Sequence, residues 1–461
     1  MMREPLQPSD PARPVRIPLV TEPWGILRSL AAARRNVLEI LPDIATRQPM
    51  VSGKTGKRWH MVMDPAALRH ILKDALEGYP KSDVTKNILR PAIGDSLFVA
   101  EGERWLWQRR TVAPVFSLRN IQNLAPIMSH AADRASARVK AADGRAADMF
   151  DEMVTTTFEV ISDVTFSGDE GFDRAAIHSA INNYIDQTAK ISLFDILGVP
   201  GWVPRPSRLM SSNALKEMKR VADRAIEARR HSPGAADRPP DLLDLLLAGA
   251  DPQTRRRMST PELRDNLLTF IVAGHETTAL TLAWSLYLCA FDQSVQLRAR
   301  REAQGVLGTR TATADDLQAL PYVRQIVDEA LRLYPPAAIL SRTAQRPDRL
   351  CGREIRARDT VMLPIYALHR NRLLWNDPDS FDPDRFADPA SIERFAYLPF
   401  GAGPRVCIGA GFAIQEAVII LATLLARFGF TPVPGRSPKP VMILTLRPEG
   451  GVWLQVECLE K

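Results

Sequence analysis

Cysteine is scarce in this sequence: Cys289, Cys351, Cys407 and Cys458 are the only four in 461 residues, widely separated and with no C-x-x-C pair. That spacing builds neither a zinc site nor a disulfide framework, and it points to a reducing, cytoplasmic location. A secretion signal is missing as well. The opening stretch M-M-R-E-P-L-Q-P-S-D-P-A-R-P-V-R-I-P is rich in proline and charge and lacks an apolar core, so no membrane anchor is expected. Internal repeats and low-complexity tracts are absent, and 45% apolar with 25% charged residues excludes a disordered chain, a collagen-like chain and a multi-span membrane protein. Charge of one sign is also lacking. Sixty Lys+Arg against 53 Asp+Glu leave +7, which suits a local basic face for an acidic protein partner and not nucleic-acid binding.

A long apolar run, Leu267 to Phe291, could mislead a hydropathy scan; its only formally charged residue is Glu276. A His-Glu-Thr-Thr cluster near its middle argues against a membrane span. A helix apolar all round is otherwise the central buried helix of a large domain, and a polar cluster inside such a helix has a task.

Residues 1 to about 20 read as an extended arm, and 21–461 as a single folded body. Arg58 to Met63 is strand-like, and Asp64-Pro65 caps a helix reaching about Leu76. The pattern is then mostly helical to Arg256, broken near 78–102, 198–206 and 232–240. Ser259 and Glu262 are spaced as a capping box, opening a helix that carries His275 to Thr278 and ends near Ala290. Another helix, about Leu320 to Tyr334, stops at Pro335-Pro336. Short strands are expected near 339–344, 353–356 and 360–363. Val441 to Leu446 and Val452 to Glu457, joined by P-E-G-G, read as a hairpin.

The densest chemistry lies at Phe400 to Gly409, F-G-A-G-P-R-V-C-I-G. A lone cysteine is ordinarily a small buried hydrophobe. Here two glycines allow close approach to a ligand or a turn through positive φ. The apolar, helix-prone run beyond Cys407 sets it at a helix N-terminus, where N–H groups and Arg405 favour a thiolate. A thiolate is a strongly donating axial ligand for haem iron.

At this point the sequence resembles the cytochromes P-450, whose signature F-G-x-G-x-R-x-C-x-G is matched at Phe400, Gly401, Gly403, Arg405, Cys407 and Gly409. At average composition a chance match has a probability on the order of one in a hundred thousand. Three further motifs follow the family order. Ala273-Gly274-His275-Glu276-Thr277-Thr278 resembles the family's acid-alcohol pair, which implies that Glu276 and Thr277 deliver protons to dioxygen; His275 falls at a variable position and receives no role. Glu329 to Arg332 resembles E-x-x-R, joined in the family by an arginine that is Arg385 here, in F-D-P-D-R-F, as support for folding. Trp105 and Arg109 match W-x-x-x-R, which implies contact with the haem propionates; Arg342 and Arg405 complete that set. Cys407 is then the axial ligand of the haem iron, with Phe400 and Gly409 framing the loop.

The resemblance implies a mainly α fold, a large helical domain with a small β-rich lobe, holding haem b. It implies a monooxygenase that inserts one oxygen atom of dioxygen into a substrate C–H bond. No flavin, nicotinamide or iron–sulfur motif accompanies the domain. Electrons are therefore expected ultimately from NAD(P)H through an acidic ferredoxin or flavodoxin with its reductase, docking on the helix of Trp105 and Arg110; the chain itself is expected to be a monomer. The richer basic stretch at 205–230 falls, by family order, over the substrate entrance. Three rivals are a peroxide-driven or isomerising haem-thiolate enzyme, a non-catalytic haem sensor, and a cysteine hydrolase using Cys407. The first two have less use for Glu276-Thr277, and no motif supplies the last with a histidine base. Ile88, Leu89, Leu97, Phe98, Ile339 and Leu340 fall in the stretches expected to line the pocket and favour a small lipophilic substrate.

Overall fold

The computed structural model describes residues 13–22, 24–55, 57–166, 212–231 and 240–459. Its helices are α1 (Ile26–Arg35), α2 (Pro65–Arg69), α3 (Asp83–Ile93), α4 (Gly102–Val112), α5 (Leu118–Lys140), α6 (Met149–Phe166), α7 (Ser212–His231), α8 (Leu242–Ala248), α9 (Thr260–Phe291), α10 (Gln293–Leu307), α11 (Pro321–Leu333), α12 (Ile365–Leu368) and α13 (Ala410–Arg427). The strands are β1 (Met50–Thr55), β2 (Lys57–Val62), β3 (Ala146–Asp148), β4 (Leu340–Thr343), β5 (Asp348–Leu350), β6 (Arg353–Ile355), β7 (Thr360–Leu363), β8 (Phe428–Pro432), β9 (Lys439–Met442), β10 (Leu446–Glu449) and β11 (Trp453–Cys458). The fold is mainly α with small sheets.

Helix α9 organises the core. The expected capping box opens it, with the Glu262 carboxylate accepting from the Ser259 N–H at 3.0 Å. Such a cap contributes about 1 kcal/mol. Its apolar residues bury on all sides against α6, α7, α11 and α13. Among the described helices, only Ala410–Arg427 is long and apolar enough to cross a membrane, and most of it is buried in protein.

Asp64 caps α2 by accepting from the Ala67 N–H at 2.8 Å, but the helix ends at Arg69 and continues as a π-turn, His70–Asp74. The four-stranded sheet has the order β1-β2-β7-β4, with β2 and β7 parallel. The short strand β5, paired to β6 through a turn at Cys351-Gly352, carried no pattern of its own in the sequence.

The expected terminal hairpin is corrected. β9 pairs with β10, whereas β11 leaves them to pair with β8 and β3. Gly450 and Gly451 both take positive φ, 87° and 80°. A Cβ on Gly451 would lie 2.0 Å from the Asp148 carboxylate, so the chain passes tightly against β3 instead of turning back on β10. Of the arm expected over residues 1–20, residues 1–12 lie outside the described residues; from residue 13 the chain is bound: Val15 N–H donates to the Tyr287 hydroxyl at 2.9 Å, Tyr334 donates to the Val15 carbonyl at 2.6 Å, and Ile17 is buried.

Candidate active site

Along α9, Ala273 is solvent-exposed although the helix around it is buried, so this face opens on a cleft. Thr277, one turn on, shares that face and donates its hydroxyl to the Ala273 carbonyl at 2.7 Å. A hydroxyl bonded four residues back loosens the helical ladder at that point. Gly274 has a different task from Ala273. A Cβ there would stand 3.3 Å from the Ile161 methyl, so the glycine lets α6 approach. His275 is buried edge-on to Phe158, and its carbonyl accepts from the Thr157 hydroxyl at 2.7 Å. It packs the two helices together, in keeping with its lack of a motif role.

The loop ahead of α13 turns through Gly401 and Gly403, at φ 69° and 70°. A side chain at Gly403 would be 2.1 Å from the Leu72 carbonyl, which locks the loop onto the π-turn. Inside the loop, Gly401 N–H donates to the Leu398 carbonyl at 3.1 Å and Cys407 N–H to the Phe400 carbonyl at 2.9 Å. Gly409 is the N-cap of α13. Cys407 stands in a concave position, reached by solvent but surrounded by protein. Burial pushes its thiol pKa up, while the Gly409 N–H and the Arg109 guanidinium pull it down.

A group of cations lies near α4. Arg405 sits over the Trp105 ring at 4.4 Å, donates to the Ala100 carbonyl at 3.0 Å and pairs with Glu101. Glu101 also accepts from the Lys81 N–H at 3.0 Å. The Lys81 ammonium rests over the Phe98 ring, 3.9 Å from its centre. Burial, with Arg342 and Arg405 close by, pushes the Lys81 pKa down to about 7, and burial with Arg405 pushes Arg342 down to about 10. Arg342 is buried, and its Nε has no hydrogen-bond partner. Three cations thus share one carboxylate. Such a set is unsatisfied by the protein alone and suits a ligand bearing two carboxylates.

The family model Cytochrome P450 matches residues 24–455. The chain belongs to the cytochrome P-450 family. It is 32% identical to the cyclooctat-9-en-7-ol 5-monooxygenase of Streptomyces melanosporofaciens over 94% of this chain and 95% of that one. It is 29% identical to the chloroplastic carotene epsilon-monooxygenase of Arabidopsis thaliana, over 86% and 77%. Among solved structures, the cytochrome P450DA heme domain superposes with a TM-score of 0.79 at 28% identity, covering 89% of this chain and 90% of that one. The protein is a P-450 monooxygenase, an oxidoreductase that uses haem, dioxygen, a lipophilic substrate and a redox partner.

For a P-450, the cation group is where the propionates would lie, and the residues present fit them. Trp105, Arg342 and Arg405, all expected from sequence, come together there, whereas Arg109 faces Cys407. Lys81 and Glu101 were missed. Neither lies at a fixed position of a motif, and only the fold brings them together.

Glu276 points away from Thr277. Its carboxylate accepts from Thr445 Oγ1 at 2.6 Å and pairs with Arg447, both from the segment around β10. No sequence signal marked that clamp. The E-x-x-R pair is fully buried: Arg332 donates to Glu329 at 2.6 and 2.7 Å, and Arg385 Nε approaches Glu329 at 3.5 Å. Arg110, expected on the docking face, is not a free surface charge. Its guanidinium grips the buried Asp251 with two bonds, 2.9 and 2.8 Å, and holds that carboxyl well below the usual carboxylate range. Arg104 is likewise tied to Asp95 at 3.2 Å. Phe98 is 39% exposed beneath Lys81 and is not simply an apolar pocket wall, while Ile88, Leu89 and Leu97 are buried.

Proposed function

We propose that this chain is a haem b hydroxylase in which Cys407 would bind the iron, acting on a small lipophilic molecule. One folded body would span 21–461 as a cytoplasmic monomer. The observation that carries the reading is the unsatisfied cation group with its orphaned Arg342 Nε, in a chain where Cys407 and Ala273 are both reached by solvent within largely buried surroundings. Lys81, Trp105, Arg342 and Arg405 would hold the propionates, Arg109, expected with them from the sequence, would stand beside Cys407 instead, and Phe400 and Gly409 would frame the loop. When bound, the haem supplies reductive activation of dioxygen and transfer of one oxygen atom to a C–H bond.

The chain's own residues set the conditions. The Gly409 N–H and Arg109 pull the Cys407 thiol toward its thiolate, against the larger effect of burial, which holds its pKa above the ordinary thiol value. Thr277 holds its Oγ1 proton on the Ala273 carbonyl and would redirect it toward dioxygen. Glu276, released from Thr445 and Arg447, would resupply that proton, so the clamp times delivery. Relatives named for cyclooctat-9-en-7-ol and carotene agree with a hydrocarbon-like substrate. Electrons would come from NAD(P)H through a separate acidic ferredoxin or flavodoxin and its reductase. With Arg110 committed to Asp251, the exposed cation at the Cys407 loop is Lys73, whose Cα lies 3.4 Å from where a Gly403 Cβ would sit.

Spectroscopy and turnover test the reading together. The ferrous carbon monoxide complex should show the band from which the family is named; Cys407→Ala should abolish it, while the other three cysteines should be dispensable. Product formed per NAD(P)H consumed should fall in both Thr277→Ala and Glu276→Gln, with reducing equivalents diverted to peroxide. An unchanged band in Cys407→Ala, or unchanged coupling in both other variants, overturns the corresponding assignment.

A further inference from the structure

His369, at the end of α12, is fully buried and lies outside every motif of the sequence. Both of its ring nitrogens are used. Leu398 N–H donates to Nε2 at 2.8 Å, so Nε2 carries a lone pair. Nδ1 lies 3.2 Å from the Arg332 carbonyl, which only accepts, so Nδ1 carries the proton. One neutral tautomer satisfies both contacts, and neither the other tautomer nor the imidazolium does.

The two partners belong to different machinery. Arg332 is the arginine of the buried E-x-x-R pair and donates back to the His369 carbonyl at 2.9 Å. Leu398 is the residue whose carbonyl accepts from Gly401, and Phe400, two residues on, accepts from Cys407. The imidazole is thus the hydrogen-bonded link between the Glu329–Arg332 pair and the start of the Cys407 loop. Tyr397 and Trp375 pack beside the ring, 5.2 and 6.5 Å between centres, and fix its plane. Burial and the Arg332 charge push the His369 pKa down to about 3, so the link does not change across physiological pH.

We infer that His369 is a positioning residue: through its Nε2 contact with Leu398 it holds the Cys407 loop in the geometry that keeps the sulfur on the iron. The inference rests on Cys407 being the ligand. It separates the two ring contacts. Only the Leu398 bond should matter to the loop, and the Arg332 bond should serve to orient the ring.

Three variants distinguish these roles. His369→Gln can return an acceptor oxygen near the Nε2 position, His369→Asn can return only a donor near Nδ1, and His369→Phe returns neither while keeping a ring. With purified holoprotein, the ferrous carbon monoxide complex should lose its thiolate-type band about tenfold faster in the Phe and Asn variants, the effect of one buried N–H left unpaired. The Gln variant should stay near wild type. The iron reduction potential should shift in the same two variants and not in the third. Equal behaviour of all three, or a Gln variant as defective as the Phe variant, would overturn the inference. If the Phe variant retains no haem, retention by the Gln variant supports the inference and loss by both opposes it. Cys407→Ala in the same assay checks the ligand independently: if it keeps the band, the ligand assignment has failed, whatever the His369 variants do.

Discussion

Two buried arginines, Arg332 and Arg342, are treated in opposite ways by the same fold. Arg332 arrives with everything it needs: Glu329 takes Nε and Nη2, and the carbonyls of His369, Pro378 and Ser380 take the remaining donors at 2.7–2.9 Å. Arg342 has one bond, to the Ser341 carbonyl at 3.1 Å, a bare Nε, and Arg405 for a neighbour. Burial alone does not separate an arginine that holds the protein together from one that waits for a ligand. The balance of acceptors around it does.

The largest effect is expected where the comparison is easiest to break. Arg332→Leu leaves Glu329 buried without its main partner, and the loss should be about 3–5 kcal/mol of unfolding free energy, read from chemical denaturation. A tolerated substitution would erase the distinction.

Arg342→Leu should do the reverse. The haem-free protein should keep its stability to within about 0.5 kcal/mol, while haem release to an excess acceptor should quicken by at least about tenfold, as for loss of a hydrogen bond to a charged group. Reduced stability with unchanged release would put Arg342 in the class of Arg332.

The smallest effect is a pH slope. Lys81 titrates near 7 in the folded haem-free chain, against about 10.4 for an ordinary lysine. Between these values the unfolded chain binds the extra proton, so haem-free stability should rise as pH goes from 7 toward 10, with the full deficit present below 7. Lys81→Met should flatten the rise, and so should haem, whose carboxylates favour the charged lysine. Equal slopes in wild type and Lys81→Met, followed by urea unfolding across that range, would detach Lys81 from the cation group.

Reading these sites in the sequence succeeded where the chemistry is local. Phe400 to Gly409, the Ser259–Glu262 cap and Glu329–Arg332 each place interacting groups within a few residues, and helix or loop geometry then fixes their relation. Glu101 and Arg405, or Arg110 and Asp251, meet only because distant elements pack together, and nothing in either neighbourhood marks the partner. For that reason the sequence shows Arg110 as one more basic residue on an amphipathic helix. The terminal strands failed differently. Leu454 and Val456 are buried between more exposed neighbours, but such alternation does not say which neighbouring strand a segment joins, and the tight passage of Gly451 along Asp148 decided it.

The clamp on Glu276 has a consequence for synthesis. Thr445 and Arg447 follow that carboxylate by 169 and 171 positions. A chain emerging from the ribosome can form α9 and pack it against α6 and α7 long before these two partners exist, while the side that α13 covers is completed only shortly before them. During that interval Glu276 has no counter-charge from the clamp. Translation of the β9–β10 segment therefore ends a vulnerable period in the life of the molecule, and the acid acquires its restraint only near the close of manufacture.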